Sequence, residues 1–251
     1  MSFSSFLDCS TYLHIKNVYI FLGPSKLGPL HVDDLKTLKG SEEVNDEVIN
    51  RFFQLIDLRS ENDPSLPKSK SFNHSFMTLL MKHGHTRVAR WTKNVNIFKF
   101  KVLFFPIFDV NHWTLAVIDF ESMTIRSYDS AGRDIIGKGY LQALKDFVHV
   151  EWALKSEKDL EASSISNIFG LELESVKDIP QQVYLDCGIF CVRYAEYLSR
   201  GSKITFTTSD IPKFRKRLVY ELTNFFIISA ENHFCDGYDF ERSLKSGMYR
   251  G

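Results

Sequence analysis

Four residues of this chain have the types and order that acyl transfer to a thiol requires. They are His112, Asp129, Gln181 and Cys187. Cys187 lies in Asp186-Cys187-Gly188, at the start of a segment that reads as a helix. A thiol there feels the positive end of the helix dipole, which favours the thiolate. Gly188 keeps the approach to the sulfur open. His112 stands at the head of the apolar run that begins at Trp113, and Asp129 follows the next run, in Tyr128-Asp129-Ser130. If the two runs pair as an antiparallel hairpin, the head of one strand meets the end of the other. A carboxylate there orients the imidazole through one nitrogen, and the other nitrogen takes the thiol proton. Gln181, six residues before Cys187, and the Cys187 N–H can donate to a developing oxyanion, with Gln182 as the competing side chain. Read singly, each residue has a plainer account: a structural cysteine, a hydrogen-bonded histidine, two surface glutamines. Their joint occurrence, each on the element its role needs, carries the reading.

The elements that must position these groups follow from periodicity. Asn45–Leu58 carries Val48, Ile49, Phe52, Phe53 and Ile56 at helical spacing, with Asn45 as N-cap. Val32–Leu38 and Asn73–Lys82 read as shorter helices, and Asn17–Leu22 as a strand followed by a loop. Glu61–Ser71, with two prolines and several charges, reads as an exposed loop. Val102–Ile107, Trp113–Phe120 and Thr124–Tyr128 read as strands, the last two as a hairpin. Lys138–Val150, Gly188–Arg200 and Ile211–Ser229 read as helices, the second ended by Gly201. Asp159–Ser166 reads as a polar loop. Helices around a cluster of strands give an α+β domain.

Composition limits the classes. The 251 residues, 44% hydrophobic and 25% charged, suit one large globular domain. The 22 phenylalanines suit an aromatic core. A formal net charge of zero gives no general attraction to nucleic acid or an acidic membrane surface. Lys213, Arg215, Lys216 and Arg217 read as the solvated face of a helix. The cysteines Cys9, Cys187, Cys191 and Cys235 form no CxxC pair and no zinc spacing, and so few of them suit a reducing compartment. Cys187 and Cys191 fall on one helix face. No run approaches the roughly 20 apolar residues of a membrane span, and the N-terminus lacks the basic start of a signal peptide. The expectation is a soluble intracellular protein without metal or cofactor.

The motifs together resemble the ubiquitin-like-protein-specific proteases, also called sentrin/SUMO-specific or Ulp proteases. The resemblance runs from about Leu30 to Phe226. Its most specific part is Pro106-Ile107, then His112-Trp113-Thr114-Leu115-Ala116-Val117-Ile118-Asp119, then Tyr128-Asp129-Ser130. The family shares the interval of 17 residues between His112 and Asp129. Ile179-Pro180-Gln181-Gln182 with Asp186-Cys187-Gly188-Ile189-Phe190, and Arg90-Trp91-Thr92-Lys93, add to it. Weaker echoes are Asn45–Asn50 and Ser71-Phe72-Asn73.

The resemblance implies a papain-like fold, a central mixed sheet flanked by helices. It implies an extension and first strand over 1–29, a catalytic domain over 30–230 and a tail over 231–251. It implies His112 as base, Asp129 as its partner, Gln181 as oxyanion donor and Cys187 as nucleophile, acting on SUMO or a related ubiquitin-like protein and its lysine conjugates, in nucleus or cytoplasm. Trp113 would roof a tunnel that admits only a Gly-Gly tail. Asp46 matches a position that binds the tail region. Trp91 and Phe72 match positions near that surface, with core packing as the other reading for both.

Two departures stand out. Glu43 occupies the place where many members have a second tunnel tryptophan. Between glutamine and cysteine the chain is one residue shorter than in much of the SUMO branch, which brings it toward the deneddylating branch. The alternatives are therefore a deneddylase-type protease, an acetyltransferase with the same His-acid-Cys order, and an inactive module that only binds a ubiquitin-like protein.

Overall fold

A computed structural model of the chain describes residues 11–15, 18–22, 27, 29–155, 165 and 167–227. The expected Asp159–Ser166 loop, apart from Ile165, lies outside the described residues. So do Cys9, Cys235, Asn17, the end of the last expected helix and the 231–251 tail.

The centre is a mixed five-stranded sheet: β4 (Ser69–Ser71), β5 (Val102–Phe108), β6 (Trp113–Asp119), β7 (Thr124–Tyr128) and β8 (Glu172–Val176), adjacent in that order. β5, β6 and β7 are antiparallel, and each edge strand joins in parallel. A smaller antiparallel sheet holds β1 (Thr11–Ile15), β2 (Val18–Leu22) and β3 (Leu30–His31). Seven helices of the described residues complete the fold: α1 (Val32–Lys36), α2 (Asp46–Asn62), α3 (Ser75–His83), α4 (His85–Thr92), α5 (Tyr140–Lys155), α6 (Cys187–Ser199) and α7 (Ile211–Asn224).

The three central strands, β5 to β7, are buried on both faces, which explains why they read as apolar runs. Alternate side chains enter different cores. Phe104, Leu115, Val117 and Tyr128 pack with α2, α6 and α7. Leu103, Phe105, Ile107, Ala116 and Ile118 pack with α3, α4 and α5. Many of the phenylalanines lie in these two cores, as with Phe105, whose ring stacks on Phe72 at 4.7 Å and 4°.

The α+β reading and the three-strand assignment agree with the structure, as does the Asn45 cap, whose side chain accepts from the Val48 N–H at 3.1 Å. Gly201 ends α6 at φ +66°. Three expectations are corrected. Glu61–Ser71 is not wholly loop: α2 runs to Asn62, and Ser69–Ser71 forms β4, fixed by Asp57, which accepts from the Ser71 N–H at 2.7 Å. α7 stops at Asn224, because Phe225 takes the left-handed conformation at φ +60°. The Lys213–Arg217 cluster is only half solvated: Arg215 and Arg217 are buried, Arg217 on Glu221 at 2.8 Å.

β5 and β6 join through two residues. Asp109 N–H donates to the His112 carbonyl at 3.0 Å, and His112 N–H returns to Asp109 at 3.2 Å. Val110 and Asn111 between them have φ of 48° and 54°. Positive φ at both centres is the pattern of a type I′ turn. Valine is poorly suited to it, since its branched Cβ crowds the backbone there. Val110 is 81% exposed, so no packing offsets the strain. Val110→Asn is expected to raise stability by about 1 kcal/mol, read as a higher urea midpoint at unchanged m-value.

Candidate active site

The site is built on the β6–β7 hairpin and the start of α6. In the β6–β7 register Leu115 lies opposite Tyr128, which brings the head of β6 beside the end of β7. His112 precedes the first strand and Asp129 follows the second. His112 Nε2 meets Asp129 Oδ1 at 3.1 Å. Nδ1 is thereby left for Cys187, which lies close enough to favour the charged ring. All three groups are buried.

Asp129 accepts from several donors besides the ring. Oδ1 takes the Ala131 N–H at 2.8 Å, and Oδ2 takes the Thr114 hydroxyl at 2.9 Å and Arg133 Nε at 3.1 Å. Burial alone would push this carboxyl up. The bond and charge of His112, then the Ala131 N–H and Thr114, override burial and hold it well below the usual carboxylate range. For His112, burial works against the charged ring. The bonds and charges of Asp129 and Cys187 outweigh it and raise the ring to about 9. The arrangement can therefore hold an imidazolium beside the sulfur at neutral pH. One turn along the helix, burial pushes the Cys191 thiol well up, which makes it a poor nucleophile.

The start of α6 is fixed from behind. Asp186 makes no side-chain cap. Its Oδ1 accepts from Arg215 Nε at 3.0 Å and Nη2 at 2.6 Å, and the same guanidinium reaches the carbonyls of Thr37 and Glu42. Gly188 serves packing: a Cβ there would lie 2.9 Å from Val44 Cβ and 3.4 Å from Trp113 Cδ1. Trp113 is buried, and its Nε1–H donates to the Val44 carbonyl at 3.1 Å. The start of α6, the Trp113 indole and the 42–45 segment are thus interlocked.

The glutamines dock on the loop after Asp129. Gln182 N–H donates to the Ser130 carbonyl at 2.8 Å, and the Ser130 hydroxyl donates to Gln182 Oε1 at 2.6 Å. Gln181 is exposed and lies over Gly132, where an added Cβ would come within 3.0 Å of its Nε2. The Tyr194 hydroxyl, from α6, donates to the Pro180 carbonyl.

The remaining sequence candidates are spread out. Asp46, its side chain 46% exposed, stands 3.5 Å from His74 Nε2, and the His74 ring lies edge-on to Trp113 at 6.0 Å. Glu43 is exposed beside Val44. Trp91 is half-buried against Phe76, 5.3 Å between ring centres. Phe72 is 6% exposed and lies in the core between Phe76 and Phe105, so of its two readings core packing describes its place.

Thr114, Arg133, Tyr194 and Arg215 were missed by motif reasoning. For Arg215 a signal existed: Ile211, Phe214, Leu218 and Leu222 mark the inward face of α7, and Arg215 falls on that face. Thr114 sits two places after His112, on the strand face shared with it.

A family model described as "Ulp1 protease family, C-terminal catalytic domain" matches residues 42–225. A sentrin-specific protease of Caenorhabditis elegans is 37% identical over 194 residues, 76% of this chain and 26% of that protein. Human sentrin-specific protease 2 is 35% identical over 192 residues, 75% of this chain and 31% of that protein. The chain thus spans between a quarter and a third of the length of these curated relatives. Among solved structures, the C-terminal Ulp1 protease domain in complex with Smt3, the yeast ortholog of SUMO, superposes with a TM-score of 0.69 at 26% identity. That match covers 84% of this chain and 90% of the other.

The ring of His112 titrates from its ordinary 6.5 to about 9 on folding. A raised folded value contributes stability that is complete below about pH 6.5 and is lost as pH rises through about 9. The melting temperature is expected to fall across that window, and Asp129→Asn to flatten the fall. Thermal denaturation of both proteins over a pH series checks this.

Proposed function

The chain belongs to the Ulp1 protease family, and on that premise we propose that it is a thiol protease cutting after the C-terminal Gly-Gly of a ubiquitin-like protein, SUMO before others. The observation that carries the reading is the buried His112–Asp129 pair at 3.1 Å, with buried Cys187 near enough to favour the charged ring. The Smt3 complex of the structural neighbour and the sentrin-specific relatives support SUMO as substrate. SUMO conjugates at lysine are the expected partners.

In this mechanism the Cys187 thiolate attacks the carbonyl carbon of the terminal glycine while His112 holds the thiol proton. The oxyanion accepts from the Cys187 N–H and a glutamine amide. Collapse breaks the C–N bond, and the leaving amine takes the proton from His112. Water then attacks the thioester, giving its proton to the ring, and the thiolate leaves. Gln181 is the donor by its spacing to the cysteine. Gln182, its Oε1 held by the Ser130 hydroxyl, is the competitor. The loss on substitution is expected at about 10²–10³ in kcat for the true donor. Comparing Gln181→Ala with Gln182→Ala decides between them.

Trp113, fixed by Val44 and pressed against Gly188, suits a roof over a chain without side chains. Asp46 lies at the edge of this roof through His74 and offers an exposed carboxylate to a basic substrate residue. Trp91, half-buried against Phe76, packs on the other core. Residues 30–230 serve as the catalytic unit, with 1–29 and 231–251 as extension and tail. Among the described residues no helix is long and apolar enough to cross a membrane. Free thiols at Cys187 and Cys191 fit nucleus or cytoplasm, where thiols stay reduced.

The test is labelling of the protein by SUMO, NEDD-type and ubiquitin probes that carry a C-terminal electrophile. SUMO labelling that disappears in Cys187→Ala is the expected result. Labelling by the NEDD-type probe alone would move the substrate to the deneddylating branch, for which the shortened Gln–Cys spacing speaks. No labelling at all would overturn the protease reading.

A further inference from the structure

Arg133 entered none of the motifs, yet it touches the buried carboxylate of the site. It lies four residues beyond Asp129, past Gly132 at φ +69°. Its Nε donates to Asp129 Oδ2 at 3.1 Å, and Nη2 stands 3.1 Å from the same oxygen. The two carboxylate oxygens are thus divided between two cationic side chains. Oδ1 serves the His112 ring and Oδ2 serves the guanidinium. Thr114 and the Ala131 N–H fill the remaining acceptor positions.

We propose that Arg133 is a positioning residue that holds Asp129 through Oδ2 and moderates the negative charge this carboxylate presents to His112. The proposal rests on the reading of His112, Asp129 and Cys187 as the catalytic groups. A buried carboxylate with the ring as its sole cation would favour the imidazolium strongly. That form is a good proton donor to the leaving amine and a poor base toward the deacylating water. A second cation on the other oxygen takes up part of the charge. Arginine suits the task because it keeps its charge at every working pH.

The groups around the pair come from several elements. Cys187, Cys191 and Tyr194 of α6 face Asp129 or His112, and Thr114 faces Asp129 from β6. Of the groups that face Asp129, Arg133 and His112 are the two that carry positive charge. On its other side Arg133 feels Asp109 of the β5–β6 turn, which is held by Lys138 at 2.5 Å and by Tyr140. Lys177 Nζ reaches the Gly132 carbonyl at 3.5 Å and braces the same loop.

The experiment is alkylation of Cys187 by iodoacetamide between pH 5 and 11, on the full chain, which needs no knowledge of the substrate. The rate profile shows an alkaline step where the ring loses its proton. Loss of the guanidinium in Arg133→Gln is expected to raise this step by about half a pH unit, since a neighbouring positive charge has gone. Arg133→Lys keeps the charge and is expected to leave the step in place. An Arg133→Gln step that coincides with the unsubstituted one, even with a uniformly slower rate, overturns the proposal. Asp129→Asn is expected to lower the step. If Asp129→Asn leaves the profile unchanged, or Cys187→Ala is alkylated as before, the catalytic reading itself fails, and the Arg133 proposal with it.

Discussion

The structure of the site depends on one buried charge. Asp129 is 2% exposed and ionised, and an isolated carboxylate in such a place costs several kcal/mol. It is retained because donors converge on it from one strand and a loop: His112 and Thr114 at the head of β6, Ala131 and Arg133 beyond the end of β7. Each donor fixes the segment that bears it. The hairpin register, the imidazole orientation and the course of the 130–133 loop are therefore solved together. The same loop receives both glutamines, through Ser130 and over Gly132. One carboxylate thus organises the His112 imidazole directly and the two glutamines at one remove.

Cys187 is held by a second buried ion pair of similar logic. Asp186, beside Cys187, gives up helix capping to bind Arg215 of α7. Arg215 also collects the carbonyls of Thr37 and Glu42, and so tethers the segment whose Val44 carbonyl holds the Trp113 indole. Replacing such a pair by apolar groups is often tolerated energetically, but removing one partner leaves a buried charge alone. The value of the pair here is placement. It brings together a helix end, an aromatic ring and a chain segment that lie far apart in sequence.

The legible parts of the sequence were those with strong local signals. The apolar runs of β5, β6 and β7, the helical spacing of α2 and the Asn45 cap sit in the structure close to where periodicity puts them. The His-Trp, Tyr-Asp-Ser and Asp-Cys-Gly motifs singled out His112, Asp129 and Cys187, and the hairpin argument anticipated why the first two meet. The edge strands were not legible. Ser69-Lys70-Ser71 and Glu172-Leu173-Glu174-Ser175-Val176 carry little apolar pattern and exist because β5 and β7 offer them open edges. α4 was read only as a motif, since its eight residues are too few for periodicity to speak. Arg133 and Arg215 were invisible for another reason: a charged residue looks solvated until the fold supplies a buried partner.

The two-residue turn at Val110-Asn111 bears on how this framework tolerates change in length. It is the shortest connection by which β5 returns as β6, and His112 closes it. A longer loop would absorb an inserted residue as slack, whereas this one has none. An insertion within β6 would shift its register, and a one-place slip would turn Trp113, Leu115 and Val117 out of one core and into the other. The His112 ring is thereby indexed to the pleat of the sheet, so that a register slip in this hairpin reaches the centre of the molecule.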